Sequence, residues 1–395
     1  MIKEKTRAMI SKSALRHNYL TIAQHLKDHT PAGETVPEVI SVVKANAYGH
    51  NVRIAAEVLG DAGCRFFAVS SAEEALEIRA LEAARGRQPR ILILGYTLPE
   101  NVPEMVSEHI LLTAVSTEHA LAMADAAEKA GTLPLRIHIK LDTGMNRVGF
   151  SAYEEEISRT VDAVAMLAAD PRIEIAGIFT HYACCDDEMS PDCTAGEEMM
   201  TMRQYNRFLE VRRLLTERGI SCGFCHTANS AAIYTYPQTY LDGVRAGIAL
   251  YGISPDGKHH PELHLRPVMR LETTVAHIHT LPAGEHVSYG ATFTADKPLT
   301  LATLTIGYGD GYLRCYSPSS VTIGGQKFPI VGRICMDQCM VDITDAKMPV
   351  RPGDTAVLFG DDDGETLLRM AEYGHTIPYE CLCAISGRVV RIAEE

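Results

Sequence analysis

The chain has 395 residues, 46% of them hydrophobic and 22% charged, which fits a globular protein of two domains better than one. Fifty acidic residues against thirty-seven basic ones give a net charge of −13, which argues against nucleic acid or an anionic membrane as a partner. No apolar run approaches the roughly 18 residues of a transmembrane helix. The charged start, Met1 to Arg7, leads into no apolar signal core, so the cytoplasm is the expected location. Eleven cysteines, an odd and scattered set, fit reduced thiols rather than a disulfide frame.

In chain order, residues 6–12 read as a short strand, Ser13 as the cap of a helix to about Lys27, and 28–36 as a loop with Pro31 and Gly33. Apolar strand-like runs follow at 38–44, 66–70, 90–95, 111–115, 135–142, 174–181, 222–227 and 244–250. Helical patterns lie between most of them: one from about Val52, then 72–85, 117–130, 153–169 and 195–218. Eight such strands alternating with helices predict a (β/α)8 barrel, a TIM barrel, over residues 13–255. A doubly wound open sheet is the alternative.

The rhythm stops after Tyr251. Residues 254–264, with Pro255, Gly257 and Pro261, read as a linker. From 265 to 395 the chain reads as a mostly antiparallel β domain, with strands at 268–280, 300–306, 320–323, 339–343, 355–359 and 387–392. Gly324-Gly325 signals a hairpin, and one short helix is expected at 367–373.

Barrel chemistry gathers at the carboxyl ends of the strands. Lys44 stands there, after the buried run Ile40 to Val43. A charged lysine in that place is costly unless it snorkels out of the rim, and the functional reading is an amine with a lowered pKa that forms a Schiff base. Residues 45–51 read as a turn that lets Tyr48 reach back over the same place. The other strand ends carry Asp142 to Arg147, His181, Asn229 with Ser230, and Arg245 with Gly247. Each alone has a plain structural explanation; their convergence points to binding.

Loops after the last two strands of such barrels often hold phosphate. Ser230 offers a hydroxyl, and the amides near Gly247 and Ile248 can approach closely. A phosphate there with a Schiff-base lysine at the first strand points to pyridoxal 5′-phosphate. Cys222-Gly-Phe-Cys225-His226 matches the haem-attachment pattern, but that chemistry needs export and the segment reads as a strand. Cys184, Cys185 and His181 lie close in sequence without a second ligand pair, so no metal is expected.

Five stretches together resemble the bacterial alanine racemases, pyridoxal-phosphate enzymes of fold type III, over nearly the whole chain. They are Val43-Lys44-Ala-Asn-Ala-Tyr48-Gly-His50, Lys140-x-Asp142-Thr-Gly-Met-x-Arg147-x-Gly149 and Ser288-Tyr289-Gly290, with Gly307-Tyr308-Gly-Asp310-Gly and Gly332-Arg333-x-Cys-Met336-Asp337. The resemblance implies that residues 1–12 add a strand to the β domain. It implies that Lys44 carries the cofactor and acts as one base, and that Tyr289, from the partner subunit of a homodimer, is the opposite base. His181 and Arg245 would pair, with Arg245 facing the pyridine nitrogen. Tyr48, Ser230, Gly247, Ile248 and Tyr379 would hold the phosphate beside Asn229. Arg147 and the Met336 backbone would hold the substrate carboxylate, and Lys140 would be carbamylated and support Arg147.

The implied reaction interconverts L- and D-alanine and supplies D-alanine for peptidoglycan; a serine or broad-specificity racemase is the alternative. A non-catalytic pyridoxal-phosphate carrier would lack the β domain and Tyr289. A decarboxylase would place a cysteine or acid at that position. The first strand carries Arg7-Ala8-Met9 where the family often has tryptophan, a residue this chain lacks.

Overall fold

Eight short, mostly buried strands pair in parallel until they close on themselves. The computed structural model describes residues 4–187, 199–361 and 365–395. The chain divides into two compact units: Asn18–Ala47 with Ala55–Leu250, and Met1–His17 with Tyr48–Ile54 and Tyr251–Glu395.

In the first unit the strands are β2 (Glu38–Val42), β3 (Phe66–Val69), β4 (Arg90–Ile93), β5 (Leu112–Ala114), β6 (Leu135–Asp142), β7 (Ile173–Phe179), β8 (Phe224–His226) and β9 (Gly243–Ala246). They pair in sequence order, β9 returns to β2, and the Leu92–Leu111 bridge joins β4 to β5. The result is the expected (β/α)8 barrel. Every residue of β3 and β9 is buried, as parallel strands covered by helices require. The helix Thr117–Ala130 keeps its predicted bounds because Ser116 accepts from His119 N–H and Gly131, at φ 70°, ends it. The helix expected at 195–218 is observed as Met200–Glu217; residues 195–198 lie outside those described.

Two expectations shift. The last barrel strand stops at Ala246, and Ile248–Tyr251 form a 3-10 turn. The first helix runs Lys12–Asp28, so its cap is Ser11: the Ser11 hydroxyl accepts from Ala14 N–H at 3.2 Å, and Ser13 lies inside the helix.

In the second unit, β10 (Met269–Leu281), β11 (Leu299–Leu304), β12 (Ser320–Ile323), β13 (Gln326–Val331), β14 (Cys339–Asp342) and β15 (Thr355–Phe359) form an antiparallel ring. The 13-residue β10 makes this possible. Its first half pairs with β15, a register shift follows Val275, and its second half pairs with β11. The first half of β10 also pairs with β1 (Arg7–Ser11), which lies parallel to β16 (Val390–Glu394). Two helices, Glu365–Tyr373 and Pro378–Ala384, belong to this unit; the second escapes the sequence reading. Val287, Ala295, Leu299, Leu301 and Val331 form one of its buried clusters.

Ser11→Ala is expected to cost about 1 kcal/mol, the usual loss of a helix cap, and Ser13→Ala close to nothing. Thermal unfolding of the two variants distinguishes them; equal effects would refute the observed cap.

Candidate active site

The carboxyl end of β2 runs into an unusual turn. Ala45, Asn46, Ala47 and Tyr48 all have φ between 52° and 57°, one turn of left-handed helix built without glycine. Left-handed backbone costs roughly 1–2 kcal/mol per such residue. Ala47 N–H reaches Val43 O at 2.9 Å, and Ala45 N–H donates to Glu74 Oε1 at 2.6 Å. Glu74 also accepts from the Ser70 amide and hydroxyl, which ties the turn to the end of β3. The turn expected at 45–51 is therefore a rigid, strained device, and Lys44 is its first residue.

At the other strand ends the barrel assembles a cationic cluster. His181, just after β7, is held well below its ordinary pKa by burial, then by Arg245, Lys140, Arg147 and Lys44. Arg245 is the nearest of these, with Nη2 3.3 Å from His181 Nδ1. Lys140, buried on β6, has its pKa lowered to about 7 by burial and then by Arg245, against the opposing field of Asp142. Its ammonium donates to Leu141 O at 2.8 Å and lies 5.5 Å from the Phe179 ring centre. No direct hydrogen bond joins Lys140 to Arg147, which is exposed in the loop after β6.

Arg245, on β9, is the buried centre of this cluster. Its Nη1 donates to His226 Nδ1 at 2.8 Å and His226 O at 3.0 Å. Its Nη2 donates to Thr180 O at 2.7 Å and Thr227 O at 2.8 Å, and lies 3.3 Å from His181 Nδ1. Among the described residues nothing accepts from Nε–H, and no carboxylate pairs with this guanidinium. Burial pulls its pKa down to about 10, so it stays cationic at neutral pH. His226 in turn meets His138 of β6: Nε2 and Nδ1 are 3.0 Å apart. Burial, followed by Arg90, Arg136 and Arg245, lowers the His138 pKa to about 3.

His226 and His138 escape the functional reading of the sequence. The signals were the histidine closing Cys222-Gly-Phe-Cys225-His226, and the alternation that puts His138 and Lys140 on one face of β6. Cys222 and Cys225 are buried thiols with raised pKa values, and no metal-binding cluster exists among the described residues.

After β8, Asn229 caps the short helix Ser230–Thr235 by accepting from Ala232 N–H at 3.0 Å. The Ser230 hydroxyl accepts from Gly247 N–H at 2.8 Å, which places Ser230, Gly247 and Ile248 at one barrel rim.

The remaining expected residues belong to the second unit. Tyr48 is buried, its ring 6.0 Å from Tyr379 and 5.0 Å from Tyr251, and burial raises its pKa. Gly49, at φ 80°, fits because a Cβ there would sit 2.5 Å from Leu382 O. Tyr289 is 68% exposed and follows Ser288, whose backbone is strained at φ 64° and ψ −175°. The Ser288 hydroxyl donates to Arg333 O at 2.6 Å. Met336 is 53% exposed, and its carbonyl accepts from Gly309 N–H at 2.8 Å.

Comparison with known proteins identifies the pattern. A family model described as alanine racemase, N-terminal domain, matches residues 10–255, and one described as alanine racemase, C-terminal domain, matches 268–393. The chain belongs to the alanine racemase family. The alanine racemase of Clostridium novyi is 38% identical over 379 residues, 95% of this chain and 93% of that protein. That of Methanococcus maripaludis is 37% identical over 396 residues, 99% of each. Among solved structures, the alanine racemase of Clostridium difficile 630 matches with a TM-score of 0.88 at 36% identity, covering 100% of this chain and 97% of the other. The Bacillus anthracis alanine racemase with bound L-Ala-P matches at 0.84 and 32% identity, covering 100% and 96%.

If the left-handed turn stores strain, Ala45→Gly removes a steric penalty and adds unfolded-chain entropy. The net expectation is a gain of roughly 0.5–1 kcal/mol. A drop in melting temperature for Ala45→Gly would show that this conformation carries no strain.

Proposed function

We propose that this chain interconverts L- and D-alanine with pyridoxal 5′-phosphate held by Lys44. The observation that carries the reading is the buried guanidinium of Arg245, which meets only neutral acceptors among the described residues and lies beside His181, in a chain whose net charge is −13. A site of that sign fits a ligand with a phosphate, together with a substrate carboxylate. The free Nε–H of Arg245 fits a ring nitrogen that lacks a proton. Once bound, the cofactor would draw electrons from the substrate Cα and make its proton removable.

The protein's own residues divide the remaining work. Ser230, Gly247 and Ile248, with Tyr48 and Tyr379, would hold the phosphate, and Asn229 fixes the helix that presents Ser230. Arg245, cationic at neutral pH, would disfavour a proton on the ring nitrogen. A weaker electron sink suits proton exchange over side reactions. Arg147 and the Met336 backbone would hold the carboxylate. Lys44 would move the proton on one face of Cα and Tyr289 of a partner subunit on the other. The exposure of Tyr289 and the strain at Ser288 support a homodimer that shares its sites. We place the enzyme in the cytoplasm, where D-alanine would feed peptidoglycan.

Lys140 reads as a carbamylation site. An amine whose pKa is lowered to about 7 is substantially neutral at physiological pH. Its nitrogen can attack carbon dioxide, form an N–C bond and release a proton to solvent. The product is an anion suited to Arg147. The sign of the pH effect follows. Below about pH 7 the amine holds its proton and the modification is lost; above it the modification forms. With 13C-labelled bicarbonate the protein is expected to gain a bound carbonyl resonance that weakens as pH falls through 7 and is missing in Lys140→Gln. Persistence of that resonance in the variant would assign it elsewhere.

The decisive test is incubation with L-alanine in deuterated water. Cα deuteration with loss of optical rotation and no carbon dioxide is expected, faster than with L-serine. One methyl against a hydroxymethyl is worth about 1–3 kcal/mol. Faster exchange with L-serine would change the substrate. Lys44→Ala is expected to abolish visible cofactor absorbance, and Tyr289→Phe to slow α-proton removal from the L-isomer most. Equal slowing from both isomers would overturn the assignment of faces.

A further inference from the structure

Among the buried groups with no role so far, His138 is the one whose placement constrains the site. It sits on β6, opposite Gly177 of β7, at a shift in the register of the two strands. A Cβ on Gly177 would lie 2.4 Å from His138 Cε1, so the strand pairing is built around this ring. The ring is wholly inside the barrel, with Phe66 edge-on at 6.3 Å between centres. Phe179 stacks on His226 at 4.8 Å and 5°, so His226 cannot turn its ring freely.

The protons in this chain of contacts have only one consistent arrangement. A guanidinium nitrogen donates and never accepts. Nη1 of Arg245 lies 2.8 Å from His226 Nδ1, so that nitrogen presents its lone pair. Neutral His226 then carries its proton on Nε2, which faces His138 Nδ1 at 3.0 Å. His138 Nδ1 must therefore accept. A proton on His138 Nδ1 would oppose the His226 N–H and drive His226 to the other tautomer, with a proton aimed at Arg245. Burial and three nearby arginines keep His138 neutral, and burial with Arg245 and His138 does the same for His226.

We infer that His138 is a positioning residue: its Nδ1 holds His226 in the Nε2–H tautomer, which anchors Nη1 of Arg245 and so aims the guanidinium whose Nε–H stays free. The inference rests on the reading of Arg245 as the partner of the cofactor ring. A space-filling histidine would need no particular tautomer and would tolerate a ring of equal size. An anchor of this kind needs an acceptor at one point.

The test uses the holoenzyme with 15N-labelled histidine. Two-bond proton–nitrogen correlations should show His226 as the pure Nε2–H form in the unaltered protein. His138→Phe, which keeps ring size and removes the acceptor, should disturb that pattern and lower kcat roughly tenfold, with KM moving far less. His138→Gln, whose Oε1 can accept from Nε2–H, should restore the tautomer and most of kcat. His226 carrying a proton on Nδ1 in the unaltered protein would overturn the inference with no variant needed. So would a soluble His138→Phe with unchanged kcat, or a glutamine variant as impaired as phenylalanine. The tautomer readout does not require turnover, so it stands or falls separately from the racemase reading, which the deuterium exchange decides.

Discussion

A buried guanidinium with no carboxylate beside it is the constraint from which the rest of this site follows. Removing Arg245 from water is costly, and the usual remedy is an ion pair. Here the solution is a cage of neutral acceptors: Thr180 O, Thr227 O, His226 O and His226 Nδ1. These satisfy the four Nη hydrogens and leave the positive charge unneutralised. Burial lowers the pKa values of His181 and Lys140, and the charge of Arg245, with no carboxylate to cancel it, lowers them further. The barrel thus keeps a buried guanidinium with no carboxylate partner among the described residues, while the chain as a whole is acidic.

That choice dictates the state of the histidines. Buried and then beside cations, an imidazole is driven neutral, and a neutral imidazole has one donor and one acceptor whose order must be specified. Arg245 specifies it from one end. The acceptor on His138 specifies it from the other. The strands that bring these groups together are neighbours through β7, yet His138 and His226 are 88 residues apart in the chain. Strand pairing, rather than any local motif, makes the network.

This explains what the sequence disclosed and what it withheld. The barrel was legible because eight short apolar runs alternate with helical patterns, and its geometry alone directs attention to the strand ends where Lys44, Arg147, His181, Ser230 and Arg245 lie. The β unit was legible as antiparallel strands, but its closure was not, since it depends on one long strand changing partners after Val275. The helix holding Tyr379 was missed because seven residues opened by Pro378 give too little periodicity to read. Ser11 and Ser13 are equally good caps by residue type, and only the observed start at Lys12 decides between them. In the sequence His226 points to the wrong chemistry, because its cysteine neighbours match the haem-attachment pattern and its barrel-facing role needs the fold.

The left-handed turn after Lys44 was illegible for a deeper reason. Ala-Asn-Ala-Tyr contains no residue that favours positive φ strongly enough to announce it, and alanine there opposes the conformation. The turn persists because its surroundings impose it, with Glu74 gripping one end and Gly49 closing against Leu382 at the other. Ser288 shows the same economy beside Tyr289, at φ 64°. Both residues proposed to move the proton therefore stand next to non-glycine backbone held in a sparsely populated region. Glycine would relieve that backbone and also free it to sample many conformations. A side chain that must exchange a proton with one atom gains more from a fixed origin than from a relaxed one, since proton transfer depends on reach and direction before it depends on pKa. Strain at these two points is best understood as rigidity bought locally against the stability of the whole.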